Sequence, residues 1–263
     1  MTPRLEALLA LLEPCDHLVD VGTDHALVPL AAVRRGLAVR ATGVDCRPAP
    51  LAAARRTLME AGEDRVALVL GDGLAGVPDS EAVVMAGLGT ATMIHVLAAA
   101  GAPDPHAGGR DAQPGPARPP LSVLAAAPGP TRLPELVLAA GPKPIRPRQL
   151  VLAPLTEPAR LRRWARQAGW HLHREVLVAE GGRWFLAMRL TPGEGPDPAY
   201  DMPGWELEAL EAVGPGLLRT GGDAVRAWLA AEHARLAAVS RVPGDPAGRL
   251  AAVMGRAAAA LEA

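Results

Sequence analysis

The sequence predicts an α/β fold: a doubly wound, largely parallel sheet that ends in a β-hairpin and is followed by a C-terminal helical, coiled-coil-like hairpin. Three observations carry this reading. Short apolar runs closing on Gly or Asp, such as "HLVDVG" and "ATGVD", alternate with segments of helical periodicity. Two strand-like runs then flank Gly181-Gly182 in "HREVLVAEGGRWFLAMRL". Beyond Met202, apolar residues recur at helical spacing on both sides of a "VPGDPAG" break.

The elements follow in order. Leu5, Leu8, Leu9 and Leu12 recur at helical spacing, so a short helix precedes the first strand. "HLVDVG" is continuously apolar, the form of a buried parallel strand. "HALVPLAAVRRGL" continues as a helix with Pro29 near its start, where a missing N–H costs least. "VRATGVD" is the second strand and "PAPLAAARRTLMEAG" a helix closed by Gly62. "VALVLGDGL" and "AVVMAGLG" supply strands three and four, and "TATMIHVLAAAG" the next helix. "QLVLAPL" is strand five, "EPARLRRWARQAGW" a helix, and the last two strands turn antiparallel. Val225, Trp228, Leu229, Leu236 and Val239, then Leu250, Val253, Met254 and Leu261, mark the two C-terminal helices. Glu232 on their apolar side argues against a long self-pairing seam, leaving a monomer or a weak dimer.

Residues 101–147 interrupt this order with 12 of the 27 prolines and six glycines, too many for regular structure. They read as an extended insertion in which "TRLPELVLAAG" has the pattern of a short helix. The 263 residues, 49% apolar, suffice for one large domain and an appendage, placed at 1–198 and 199–263. Two cysteines, Cys15 and Cys46, and no secretory pattern before the first charged residues lead to an expected cytoplasmic location. Charged residues interrupt every apolar run, so no membrane span is expected.

The net charge of −1 is unevenly spread, with +7 concentrated in residues 132–190. The same stretch holds Trp164, Trp170, Trp184 and Phe185, four of the seven aromatics. Cations interleaved with aromatics suit a polyanion with exposed bases; a solvated helix face over core aromatics is the plainer alternative. Arg146, Arg148, Arg162, Arg163 and Arg166 are the candidate nucleic-acid contacts.

Ligands of such sheets bind beyond the carboxyl ends of the strands. A G-x-G-x-x-G loop starting at Gly22 would need glycine at 24 and 27, where Asp24 and Leu27 stand, so a pyrophosphate could not approach the backbone. A phosphate-free ligand tolerates a one-glycine turn. S-adenosylmethionine is such a ligand, and its sulfonium and amino groups favour carboxylates such as Asp20 and Asp24. Asp45 ends strand two, where it can accept from both ribose hydroxyls, and Asp72 ends strand three, where it can accept from the adenine amino group. A helix N-cap explains any one of these acids; the recurrence at successive strand ends is what marks a site. Gly87 and Gly89 in "VMAGLG" leave room for a flat acceptor. The [DNS]-P-P-[YFW] run used in exocyclic amine methylation is absent. His171 and His173 share a strand face without a third ligand, so no metal is expected.

"VDVGTDHALVP", "GDGL", "MAGLGTATMIHVL", "LVLAPL…LRRWARQAGW", "EVLVAEGGRWF" and "VGPGLL…AVRAWL" resemble, in order and spacing, the TrmK family of bacterial tRNA adenine-22 N1-methyltransferases. The resemblance covers nearly all of the chain outside 101–147. It implies a Rossmann-like class I methyltransferase sheet, S-adenosylmethionine as donor, tRNA as substrate and a C-terminal coiled-coil domain. Carried over by position, cofactor contacts fall on Gly22, Thr23, Asp24, His25, Asp45, Asp72, Gly73 and the Ala86-Gly87 turn. Asp24 is the candidate catalytic residue, beside the acceptor base. The chain departs from the family at Ala153-Pro154-Leu155, usually Gln-Pro-Asn; at Leu88-Gly89-Thr90, usually Met-Gly-Gly; and at Phe185-Leu186, usually Tyr-Glu. Two alternatives stay open: a methyltransferase acting on another RNA or a small molecule, and a non-catalytic RNA-binding protein that keeps the cofactor pocket.

Overall fold

The computed structural model describes residues 1–75, 77, 79–101, 147–240, 242 and 245–262. The expected insertion and its helical "TRLPELVLAAG" lie outside these, apart from the end residues Gly101 and Pro147. The chain runs through α1 (Pro3–Leu11), β1 (Cys15–Val21), α2 (Leu27–Arg34), β2 (Ala38–Asp45), α3 (Pro48–Ala61), β3 (Val66–Leu70), β4 (Ala82–Ala86) and α4 (Thr90–Ala99). It resumes with β5 (Gln149–Ala153), α5 (Pro158–Gln167), β6 (Trp170–Glu180) and β7 (Arg183–Pro192).

The described sheet has seven strands in the order β3-β2-β1-β4-β5-β7-β6. β1 pairs in parallel with both β2 and β4, so the winding reverses between β1 and β4, and a crevice opens at their carboxyl ends. β7 is antiparallel to both β5 and β6. The expected antiparallel hairpin is present: it inserts its second strand next to β5, and β6 at the edge runs in the direction of the parallel strands.

Alternation along the strands feeds two cores. Leu18 and Ala41 face α1, α2 and α3 through Leu8, Leu9, Val33 and Leu58. Val19, Val21 and Met85 face α4 and α5 through Met93, Leu97, Leu161 and Trp164. A third cluster joins Leu177 of β6 to the C-terminal helices α6 (Leu207–Val213), α7 (Pro215–Thr220), α8 (Asp223–Val239) and α9 (Pro246–Ala260). The hairpin of α8 and α9 appears as expected, with Val225, Leu229 and Leu236 buried against Ala251, Met254 and Ala257. Val239 is 54% exposed and so does not belong to that seam. α6 and α7 were not anticipated; Gly214, Pro215 and Gly221 bound them and keep them to 7 and 6 residues.

The joint between α5 and these helices corrects the reading of Arg162. Its side chain is fully buried, donating from Nε to Glu175 Oε1 at 2.7 Å. It also donates to the carbonyls of Glu211 (2.9 Å), Ala212 (3.2 Å) and Val213 (3.3 Å), which end α6. Arg162 therefore spends four of its five N–H donors on Glu175 and on orphan helix carbonyls inside the protein, and its buried side chain is out of reach of a phosphate. Arg163 and Arg166 reach the other side of α6, binding Glu211 at 2.7 and 3.0 Å.

Candidate active site

The turn after β1 is unusually curled. Gly22 has φ +76°, Asp24 +48° and Ala26 +56°. Asp tolerates the left-handed region better than most residues, whereas Ala26, fully buried, holds it at a cost of about 1 kcal/mol. Such strain persists only where the surroundings over-determine it. Here Gly22 N and Thr23 N both donate to Val44 O, at 2.8 and 3.0 Å, and Ala26 N donates to Thr23 O at 2.8 Å. Gly43 in β2 leaves the room this needs, because a Cβ there would lie 2.7 Å from Thr23 Oγ1.

Beneath the turn, Asp20 and Asp45 are nearly inaccessible, 3% and 4% exposed. Burial pushes the Asp20 carboxyl up to about 7, and the charge of Asp45 adds to the shift. The Thr23 hydroxyl opposes it; that hydroxyl is itself buried and has no hydrogen bond within normal geometry among the described residues. Asp45 Oδ1 accepts from Arg47 N at 2.9 Å, with Arg47 Nε 3.4 Å away. Among the described residues nothing donates to Asp45 Oδ2. Asp24 and His25 stand at the mouth, 63% and 56% exposed, 3.9 Å apart. Asp72 is exposed just past β3, and Gly73 lies against Val96.

The loop after β4 is laced to the loop after β5. Gly87 N donates to Ala153 O (3.1 Å), Leu155 N to Leu88 O (2.9 Å), and the Thr90 hydroxyl to the carbonyls of Thr156 and Glu157. Leu88 folds over the first turn, its Cδ2 3.3 Å from where a Gly22 Cβ would stand. The space expected above Gly87 for a flat acceptor is instead approached by Arg4, whose Nη2 is 2.8 Å from a Cβ built there.

These ends enclose a cavity of about 590 Å3, within the usual range for small-molecule sites. It is lined by all ten cofactor candidates: Asp20, Gly22, Thr23, Asp24, His25, Asp45, Asp72, Gly73, Ala86 and Gly87. A buried hydroxyl and two buried carboxylates with open acceptor positions suit a ligand that brings hydroxyl and amino donors, as an adenosyl amino acid does. The residues present therefore fit the expected cofactor class. The wall that sequence reasoning missed comes from Thr2, Arg4, Leu5 and Leu8 of the N-terminal segment and from Glu180. Nothing local marks them: Arg4 N donates to Glu180 Oε2 at 2.9 Å across 176 residues of sequence.

The basic candidates divide. Arg148 is 81% exposed and 3.5 Å from Glu81, Arg163 is 46% exposed, Arg166 28% exposed, and Arg146 lies outside the described residues. At the hairpin tip Arg183 and Trp184 are exposed, paired across the turn with Glu180 and Ala179. His171 and His173 do not act together, because a bulge between Leu172 and Arg174 breaks the strand's alternation. Among the described residues no group of three His, Cys, Asp or Glu side chains is placed to hold a metal. None of the described helices is long and apolar enough to cross a membrane.

A methyltransferase-domain family matches residues 1–106. No curated protein matches the chain in sequence. Solved structures match it over its length. The B. subtilis m1A22 tRNA methyltransferase TrmK is 19% identical, with TM-score 0.66 and coverage of 100% of this chain and 97% of that one. M. capricolum TrmK in complex with S-adenosyl-homocysteine is 15% identical, with TM-score 0.65 and coverage of 100% and 98%. Streptococcus pneumoniae Sp1610 in complex with S-adenosyl-L-methionine is 16% identical, with TM-score 0.68 and the same coverage. At these identities the likeness establishes the fold alone.

Proposed function

We propose that this chain is an S-adenosylmethionine-dependent methyltransferase that modifies N1 of adenine in tRNA, at position 22. The observation that carries the proposal is the convergence of all ten candidate residues, from four strand ends, on one cavity that also holds the buried, unpartnered Thr23 hydroxyl. The methyltransferase-domain match over 1–106 and the full-length likeness to tRNA m1A22 methyltransferases support it. Residues 1–198 carry the transfer and residues 199–263 help to hold the tRNA. A tRNA substrate places the reaction in the cytoplasm, and the protein acts as a monomer or weak dimer without a metal.

When bound, S-adenosylmethionine supplies an electrophilic methyl group on a cationic sulfur. The chain's part is to bind, orient and shield. Asp45 and Asp72 accept from the adenosyl hydroxyl and amino groups, and Asp20 and Thr23 from the amino-acid end. Adenine N1 carries its lone pair at neutral pH, so no base need first remove a proton, and alignment in a dry site supplies much of the acceleration. N1 lies on the pairing edge, so the base must be unpaired or extruded to enter. Asp24, at the mouth, offsets the positive charge that develops on the adenine. Arg148, Arg163 and the hairpin-tip pair Arg183 and Trp184 give the tRNA phosphate and stacking contacts near that mouth.

The test is incubation with an unmodified tRNA transcript bearing adenine at position 22, followed by nucleoside mass spectrometry. 1-Methyladenosine at that position is the expected product. Asp24→Asn, which keeps a left-handed-tolerant residue while removing the charge, is expected to lower turnover; undiminished transfer would remove Asp24 from the mechanism. Methylation of other RNA alone would keep the transferase and change its substrate. Cofactor binding without turnover on any RNA would favour an RNA-binding role.

A further inference from the structure

The cavity wall is acidic: Asp20, Asp24, Asp45, Asp72 and Glu180 all line it. That suits the cationic groups of the proposed donor and opposes one part of it, the carboxylate of its amino-acid end. With the adenosyl end held at Asp45 and Asp72, beyond β2 and β3, the amino-acid end falls toward β1 and β4. A carboxylate there is held most strongly by a cation. Two arginines line the cavity among the described residues, Arg4 and Arg47. Arg47 sits beside Asp45, on the adenosyl side, with its side chain 70% exposed. Arg4 is on the β4 side, its Nη2 2.8 Å from a Cβ position on Gly87.

Arg4 is also held in place. Its backbone N–H is tied to Glu180 Oε2, 2.9 Å away, and its guanidinium carbon lies 4.9 Å from the centroid of the Phe185 ring. Stacking on a ring face leaves the in-plane N–H donors of a guanidinium directed sideways, the geometry that grips a carboxylate with two parallel hydrogen bonds. Among the described residues no oxygen accepts a hydrogen bond from this guanidinium. It is a positioned cation with its donors unspent.

We infer that Arg4, presented by α1 and braced on Phe185, binds the carboxylate of the donor's amino-acid end. Arg4 is a positioning residue that fixes that end beside Gly87. The inference rests on the proposed function, because it assumes an adenosyl amino acid in the cavity. It also gives a role to the N-terminal helix, which joins the site from 176 residues away from Glu180.

Two ligands isolate the contact: S-adenosylhomocysteine, which has the carboxylate, and 5′-methylthioadenosine, which keeps the nucleoside and sulfur but lacks the amino-acid end. Calorimetric titrations of wild type, Arg4→Gln and Arg4→Lys with each ligand measure it. Arg4→Gln is expected to weaken S-adenosylhomocysteine by about ten- to a hundredfold, the range for a charge-assisted pair, with Arg4→Lys losing less. Methylthioadenosine affinity is expected to stay unchanged in both variants, which also shows that they are folded. Equal losses for both ligands would overturn the inference. So would an undiminished S-adenosylhomocysteine affinity, including the case in which Arg4→Gln instead raises KM for tRNA and thereby assigns Arg4 to an acceptor phosphate. If the wild type binds neither ligand, the proposed function fails first and the inference falls with it.

Discussion

Of the five carboxylates buried among the described residues, four divide into two instructive pairs. Glu175 and Glu211, each 2% exposed, sit where α5 meets the C-terminal helices. Every one of their oxygens is taken: Glu175 by Arg162 Nε and Gly216 N, Glu211 by Arg163 Nε and Arg166 Nη2. Asp20 and Asp45 sit at the strand ends, where among the described residues Asp20 has only the Thr23 hydroxyl beside it and Asp45 uses one oxygen. Residue type and burial do not separate a joint from a site; the saturation of donors and acceptors does. A saturated cluster holds elements together, and an unsaturated one waits for a ligand.

The largest effect is expected at the saturated pair. Arg162→Ala leaves Glu175 charged and buried without its partner and uncaps α6, so thermal or denaturant unfolding should show a loss of about 3–5 kcal/mol. S-adenosylhomocysteine affinity of the remaining folded protein should not change, and a selective loss of binding would break the division between joint and site. Next is Gly43→Ala. Its Cβ would stand 2.7 Å from Thr23 Oγ1 and 3.1 Å from Leu68 Cδ2, so packing strain of about 1–3 kcal/mol should appear in denaturant unfolding. Here ligand binding should weaken as well, since Thr23 lines the cavity.

Asp20 sharpens the comparison through pH. Its carboxyl moves from an ordinary 3.8 up to about 7 in the fold, chiefly by burial. The unfolded chain therefore gives up this proton first as pH rises. Asp20 lowers the stability of the unliganded protein progressively between about pH 4 and pH 7, and the contribution is level above. Asp20→Asn should flatten that decline in denaturant titrations at pH 5 and pH 8. The ammonium group of the ligand's amino-acid end favours the ionised carboxylate, so wild-type affinity for S-adenosylhomocysteine should rise across the same window and level off above about 7. The smallest effect is expected for Arg148→Ala. Its side chain is 81% exposed, so stability should change by less than about 1 kcal/mol in thermal unfolding, while tRNA binding falls and loses some of its salt dependence.

How much of this was legible in the sequence differs between the two regions. The strand-end residues were legible because each closes its strand: a buried apolar run places Asp20, Asp45 and the Ala86-Gly87 turn at one edge of the sheet before any tertiary contact is known. The C-terminal hairpin was legible from its 3.6-residue period, and α6 and α7 were too short to show one. Arg162 was not legible. It reads as one arginine in a basic helix, and its partners lie 13 residues on, at Glu175, and 49 on, at Glu211. The signal was Glu175 itself, a single acid within the apolar run "REVLVA", which a buried strand tolerates only with a paired cation. Arg4 left no signal at all, since its place in the cavity is set by how α1 lies on the hairpin.

The most direct test of the unsaturated site is calorimetric titration of S-adenosylhomocysteine into wild type and Asp45→Asn, with thermal unfolding of both run alongside. The account predicts one-to-one binding to the wild type and a loss of at least about tenfold in the variant. It also predicts melting temperatures that stay close, because Asp45 contributes an open acceptor and no structural joint. Absence of binding in the wild type, or a fall in melting temperature with affinity unchanged, would contradict it.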